Sequence, residues 1–343
     1  MDIKQRFRET FPNAFFLEND ITSVNQYLAK QSWLNKNESL ISLAKPGEGN
    51  MNFVLRATTN QRSFILKQAR PWVEKYPQID APIERITVEA QFFQTLESVQ
   101  SINYFTPSCL GFDADNFILA TEDLGKGGDY SFLYQKDNLL TEREVSDLVN
   151  YLSGLHRISI PADFPKNLAM RKLNHAHIFH LPYIEENGFN LEEIQEGLQI
   201  ASLPFKTDNT LKEKIANCGK IYLSEGTHLL HGDFYPGSWL KVADGLKIID
   251  PEFGFVGPVE FDLGVLIAHL VMAQQPTNII QMVLQKYQRP NEFNSSLLAE
   301  FVGIEILRRL IGIAQLPLSL DLATKKEMMA KATTWIKSGE LEF

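Results

Sequence analysis

The stretch His231-Gly-Asp233-Phe-Tyr-Pro-Gly-Ser238, followed by Asp250-Pro-Glu252-Phe253, decides how this chain is read. Each acidic cluster comes straight after an apolar, strand-like run: Thr227-His-Leu-Leu230 before the first, Gly245-Leu-Lys-Ile-Ile249 before the second. Two neighbouring strands would deliver Asp233, Asp250 and Glu252 to one spot, with the Pro/Gly turn shaping the first loop. Phosphoryl transfer calls for such a set: one carboxylate to orient and deprotonate a hydroxyl, others to hold the magnesium that neutralises phosphate charge. Asp233 is therefore the expected base. Asp250 and Glu252 are the expected magnesium ligands, because hard oxygen donors suit that ion. His231 reads as a structural residue bonded to backbone, and Asp262 as an N-cap or a brace for the loop.

Upstream the chain is β-rich. Residues 41–45, 53–58 and 63–67 read as strands, the last two joined by a hairpin connection. Between the first two lies Pro46-Gly47-Glu48-Gly49-Asn50, whose small residues would let backbone N–H groups approach a polyphosphate. It lacks the Gly-Lys-Ser/Thr of a Walker loop, and taken alone it is a plain turn. Lys67 ends a run that should be buried on both sides, where an ammonium needs partners. Glu89, in a helical pattern over 83–97, is the candidate partner; the plainer alternative is a rim lysine and a solvated glutamate.

Short strands at 110–112 and 116–120 precede Glu122-Asp123-Leu124-Gly-Lys-Gly-Gly128, a glycine-rich hinge. Beyond it the pattern is helical, over 141–158, 191–200, 209–224, 260–273, 278–288, 295–314 and 322–337. The expected fold is α+β: a small N-lobe over residues 1–121, with an antiparallel sheet, a helix and an N-terminal helical extension. A hinge at 122–128 and a larger, mainly helical C-lobe over 129–343 would follow, with a cleft between the lobes.

With 343 residues the chain is long enough for two cores. A net charge of −9 and the lack of a basic stripe argue against a nucleic-acid partner. Two cysteines, Cys109 and Cys218, suit a reducing cytosol rather than a disulfide framework. No apolar signal segment opens the chain, and Gly264–Ala273 is too short to span a bilayer, so a cytoplasmic protein without membrane contact is expected.

Two further features carry alternatives. Arg308-Arg309 lie in the greasy run Ile304–Ala314, and adjacent helix positions differ by about 100°. At least one arginine must then sit near the apolar face, either snorkelling with a salt bridge to Glu305 or gripping substrate or phosphoryl group. His175, His177 and His180 have metal-like spacing, but no single helix or strand face collects all three, which speaks against a zinc site.

Together these residues resemble the protein-kinase-like phosphotransferases of the aminoglycoside phosphotransferase and choline kinase type, and within them the 5-methylthioribose kinase family. The likeness rests on Gly47–Asn52, Lys67–Pro71, Glu84-Arg85, Glu89-Ala90 and Glu122-Asp123-Leu124. It continues through His231–Asp233, Gly237-Ser238, Asp250–Phe253, Gly257-Pro258, Phe261-Asp262, Gly264 and Arg308-Arg309. Ser238 replaces the Asn found in most of the superfamily, and Glu252 and the paired arginines favour the methylthioribose kinases. The resemblance implies ATP and Mg2+, with the nucleotide on Gly47, Gly49, Asn50, Lys67, Glu89 and the Glu122-Asp123-Leu124 hinge. It implies metal ligation by Asp250, Glu252 and Ser238, and charge stabilisation on the phosphoryl group by Arg308 and Arg309.

The acceptor implied is a small hydroxylated molecule, 5-methylthioribose or a related sugar. An aminoglycoside, choline, homoserine or fructosamine acceptor is the alternative, and a silent nucleotide-binding pseudokinase a further one. GTP in place of ATP, and a homodimer, stay open. Phe234-Tyr235-Pro236 and Gln315 depart from the family pattern near the expected acceptor position.

Overall fold

The computed structural model describes residues 2–47 and 51–343. Gly49 and Asn50, expected at the nucleotide, lie outside the described residues. The chain divides into two compact units: Met1–Lys126 with Pro161–Met170 and Asp250–Phe253, and Gly127–Ile160 with Arg171–Ile249 and Gly254–Phe343.

The first unit opens with helices α1 (Ile3–Thr10) and α2 (Ile21–Lys30). Strands β1 (Leu40–Ala44), β2 (Phe53–Thr59), β3 (Ser63–Gln68), β4 (Trp72–Val73) and β5 (Tyr76–Asp80) follow, then α3 (Arg85–Glu97), β6 (Cys109–Asp113) and β7 (Ile118–Glu122). An antiparallel sheet runs β1-β2-β3-β7-β6, and β4 pairs β5. Alternation sets its faces. Phe53, Leu55 and Ala57 of β2 join Phe64, Leu66, Ile118 and Ala120 in a core closed by Val24, Tyr27 and Leu28 of α2. The opposite face of the hairpin carries Val54, Arg56 and Thr58, in register with Lys67, Ile65 and Ser63. This second face matters for function.

The second unit is mainly helical. It contains β8 (Gly128–Asp129), α4 (Glu142–Leu155), α5 (Leu168–His175, whose first residues belong to the first unit), α6 (Leu198–Thr207) and α7 (Asn209–Leu223). Strands β9 (His228–Leu230), β10 (Trp239–Val242), β11 (Gly245–Ile248) and β12 (Phe255–Gly257) come next. Helices α8 (Val259–Met272), α9 (Thr277–Lys286), α10 (Ser295–Ile311) and α11 (Leu322–Ser338) complete it. Helix α8 is mostly apolar and buried almost throughout, as a central helix must be, with Glu260, Asp262 and His269 as its ionisable residues. Gly264 of α8 lets Phe301 of α10 approach, and Gly303 of α10 lies against the Ala332 carbonyl of α11.

Two expectations are corrected. The strands that precede the acidic clusters are not neighbours in one sheet: β9 pairs β12, while β11 pairs β10. The helix expected over 191–200 is a 3-10 turn at Leu191–Glu193. Gly197, at φ +79°, breaks the pattern before α6 begins. Among the described residues no helix is long and apolar enough to cross a membrane.

Candidate phosphotransfer site

In the first unit the site residues gather around Lys67. Its register on β3 places the ammonium on the sheet face away from the α2 core, where it donates to Glu89 of α3 at 2.5 Å and to Asp250. Burial alone would depress the Lys67 ammonium, but Asp250, Glu89 and Glu252 outweigh it and raise it above its ordinary value. Asp250 takes a left-handed backbone, φ +61°, uncommon for a residue with a side chain, and its carboxylate stays 43% exposed. Glu252, on the short Pro251–Phe253 turn, is buried; it accepts from Asn52 at 2.8 Å and lies 3.3 Å from the Arg85 guanidinium. Burial pushes the Glu252 carboxyl up to about 7 despite Arg85. Glu89 is likewise raised by burial against Lys67, and its second oxygen is buried without a hydrogen-bond partner.

Arg85, fully buried, also donates to Asn52 Oδ1 and to the carbonyls of Met51, Arg70 and Pro82. It therefore fixes the chain as it re-enters β2. Three carboxylates thus face two cations. Of these, Asp250 and Glu252 offer carboxylate oxygens, the donor type that suits a hard divalent cation.

The same face continues into a groove of about 550 Å³ lined by Arg56, Thr58, Ser63, Asp123, Gly125 and Lys126. Asp123 accepts from Arg56 through two nitrogens, both at 2.9 Å, and from Ser63 at 2.7 Å. Gly125, at φ +88°, turns the chain there. Glu122 points elsewhere, its carboxylate taking the Ser108 backbone N–H and hydroxyl at 3.2 Å. Leu124 is half-buried and Gly47 is exposed.

In the second unit the loop after β9 is tied down from several sides. Asp262 does not cap α8; its two oxygens accept the backbone N–H groups of His231 and Gly232, at 2.6 and 3.0 Å. His231, fully buried, bonds the Ile249 carbonyl through Nε2 at 3.0 Å, so Nε2 carries the proton and Nδ1 faces the Asp233 N–H at 3.4 Å. The Ser238 hydroxyl donates to the Asp233 carbonyl at 2.9 Å. These bonds fix the backbone from which Asp233 projects.

The arginines do not snorkel. Both are buried, and their terminal nitrogens lie 3.3 Å (Arg309) and 3.7 Å (Arg308) from Asp233 Oδ1. Burial raises the Asp233 carboxyl above its ordinary value, with Arg309 and Arg308 opposing. Its side chain is 23% exposed, so a hydroxyl can reach it. Behind the pair, Glu305 accepts from both Nε groups, Arg309 at 2.8 Å, and from His269 at 2.9 Å. Burial would lift Glu305, but Arg308 and Arg309 hold it well below the usual carboxylate range.

Arg85, Asn52 and His269 were not among the expected site residues. A lone histidine inside the largely apolar α8 is the signal that could have found the last. His175, His177 and His180 form no ligand set; among the described residues no group of three or more His, Cys, Asp or Glu side chains could hold a metal.

The arrangement of Asp233 against two buried arginines coincides with a family match. The model of the phosphotransferase enzyme family covers residues 42–300. The chain belongs to that family. As a member of the phosphotransferase enzyme family it resembles the methylthioribose kinase of Bacillus cereus (strain AH187), 24% identical over 364 residues, with 91% of this chain and 88% of the relative covered. The methylthioribose kinase of Bacillus thuringiensis (strain Al Hakam) is equally similar, at 24% identity with the same coverage.

Among solved structures, a putative fructosamine-3-kinase from Haemophilus somnus 129PT matches with TM-score 0.52 at 16% identity, over 91% of this chain and 96% of that one. Spectinomycin phosphotransferase in complex with ADP and spectinomycin gives 0.51 at 12% identity (93% and 98% covered). LicA in complex with AMP gives 0.50 at 15% (93% and 98%). At these identities the likeness shows the fold: the α+β, protein-kinase-like phosphotransferase fold.

Proposed function

We propose that this phosphotransferase is an ATP-dependent kinase acting on a hydroxyl of a small neutral sugar, 5-methylthioribose or a close relative. The observation that carries this reading is the pair of buried arginines held on Asp233. Every carboxylate of that cluster is matched: Asp233 and Glu305 against Arg308 and Arg309. A cationic acceptor such as choline or an aminoglycoside would want unmatched carboxylates or an open aromatic face, and two guanidinium groups at the base disfavour it. A neutral polyol meets no such penalty. The methylthioribose kinases match 91% of this chain, which supports the same acceptor class.

In this reading the first unit holds the nucleotide. Lys67, kept charged and aimed by Glu89, meets the phosphates; the groove beside Asp123 and Gly125 suits the base and ribose in size. Asp250 and Glu252 are the proposed ligands of Mg2+, which would supply charge neutralisation on the phosphates.

Asp233 orients the acceptor hydroxyl and takes its proton as the hydroxyl oxygen forms its bond to the γ-phosphorus. The bond from that phosphorus to the bridging oxygen breaks, ADP leaves with the electron pair, and the proton passes from Asp233 to solvent. Arg308 and Arg309 donate to the phosphoryl oxygens as their charge is redistributed.

The test is a coupled ADP-release screen across methylthioribose, other pentoses, aminoglycosides and amino alcohols. Turnover highest with methylthioribose or another neutral pentose is expected. Preference for a cationic acceptor would overturn the substrate class, and ADP release with none of them would remove the kinase reading.

A further inference from the structure

Behind the arginine pair a chain of hydrogen bonds runs deeper into the second unit. Glu305, Arg308 and Arg309 stand at i, i+3 and i+4 on α10 and so share one face. Each arginine gives its Nε to a different Glu305 oxygen: Arg308 to Oε2 and Arg309 to Oε1. Spending Nε on Glu305 leaves the terminal nitrogens of both guanidinium groups to face Asp233.

Glu305 Oε1 also faces His269 Nε2 of α8 at 2.9 Å, and His269 Nδ1 faces the Tyr134 hydroxyl at 2.6 Å. An ionised carboxylate only accepts, so Nε2 bears the proton. The two arginines balance Glu305 and Asp233, so no fifth charge is needed and His269 stays neutral. Its Nδ1 must then accept from Tyr134, and every proton in the chain has one defined place. Tyr134, His269, Glu305 and both arginines are each buried. Tyr235 closes the side of this chain, its ring 4.9 Å from the Arg309 guanidinium and 5.3 Å from the His269 ring.

We infer that Tyr134, His269 and Glu305 form a positioning relay that holds Arg308 and Arg309 against Asp233, in addition to any part they play in stability. The inference rests on the assignment of Asp233 as the base. A buried ion cluster serving stability alone gains little over apolar packing of the same volume. Here three buried donors from two helices, Nε of Arg308 and Arg309 on α10 and Nε2 of His269 on α8, converge on one carboxylate whose two oxygens are divided between the two arginines, and the Tyr134 hydroxyl in turn fixes His269. The relay leaves Glu305 one orientation, and with it the arginines one reach. Loosening it lets them withdraw from Asp233. The carboxylate would then be faced only by the His231 and Tyr235 neighbourhood and a freed Glu305, and would hold its proton more tightly.

The test compares Tyr134→Phe, His269→Asn and His269→Gln with the wild-type enzyme. Tyr134→Phe removes one oxygen and keeps the ring, so it folds even where a histidine variant does not. His269→Gln retains an amide donor toward Glu305 and is the conservative rescue; His269→Asn is too short to supply it. Two readouts are used: turnover with saturating nucleotide, and 13C NMR titration of the Asp233 carboxyl, which needs no acceptor.

The relay predicts an upward displacement of the Asp233 titration by about one pH unit in His269→Asn, with a smaller one in Tyr134→Phe. It predicts kcat down about tenfold with nucleotide KM unchanged, and substantial recovery in His269→Gln. Folded Tyr134→Phe and His269→Asn proteins with an unmoved Asp233 titration and wild-type kcat would overturn it. A displaced titration in a protein that phosphorylates no acceptor would keep the relay and reject the kinase reading, so the two failures are told apart.

Discussion

Replacing Lys67 by Met removes the cation that Glu89 and Asp250 share and leaves Arg85 alone to oppose three carboxylates. Stability should fall by roughly 3 kcal/mol, an amount typical of stranding a buried charge, discounted because Asp250 is partly solvated. Urea unfolding measures it. Lys67→Met combined with Glu89→Gln should regain much of the stability but none of the nucleotide affinity. A single variant as stable as wild type would show that the ammonium does not hold this cluster. His269 gives a second residue-scale expectation. Burial, helped by Arg309 and Arg308, lowers it from 6.5 to about 4. Between those values the unfolded chain binds a proton that the folded protein refuses. The stability present above pH 6.5 is therefore lost as pH falls toward 4, by about 3 kcal/mol. His269→Gln should flatten that part of the pH–stability curve, and an unchanged slope would place the acid sensitivity elsewhere.

Helix α10 joins packing to chemistry. A Cβ at Gly303 would lie 2.5 Å from the Ala332 carbonyl oxygen and 2.6 Å from Ile336, and the backbone oxygen cannot step aside. Gly303→Ala should force α10 and α11 apart, costing about 1–3 kcal/mol by thermal or urea unfolding. Because the same helix carries Glu305, Arg308 and Arg309, kcat should fall in the folded fraction as well. Wild-type stability would mean that the helices adjust without strain. The start of α10 was legible, though the helix ends at Ile311, three residues before the expected 314, and the dilemma of its adjacent arginines was legible too. The resolution was not, because it depends on Asp233 and His269, both remote in sequence. The strands before the acidic clusters were likewise legible as strands. Their partners were not, since β10 and β12 are short segments with no pattern of their own. No residue-type signal announces the left-handed backbone at Asp250 either.

At the scale of the molecule, ligands that bind only the folded chain raise its melting temperature. Saturation at a hundredfold excess over Kd corresponds to about 2.7 kcal/mol, or a few degrees for a chain of this size. ATP with Mg2+ should produce such a rise, and chelation with EDTA should remove most of it, since Asp250 and Glu252 then lose the proposed cation. An ATP shift indifferent to EDTA would argue against them as metal ligands. The α+β class was legible because strand periodicity changes to helical periodicity near the glycine-rich hinge. Lys67 and the arginines stood out because charged residues inside apolar runs need partners, and folding supplies them with carboxylates. What holds them in place was only partly so: Glu305 was legible as a salt-bridge partner of the arginines, whereas Arg85, Asn52 and His269 act through contacts that only folding creates.

The most direct measurement pairs a kinase assay with a nucleotide-binding titration on Asp233→Asn, which keeps the side chain's shape and its contacts to the arginines. Turnover lower by about 10²–10⁴, with nucleotide affinity unchanged, is the expected result for loss of a base used only in transfer. A well-folded variant that still turns over at the wild-type rate would contradict Asp233 as the base and, with it, the proposed chemistry of this site.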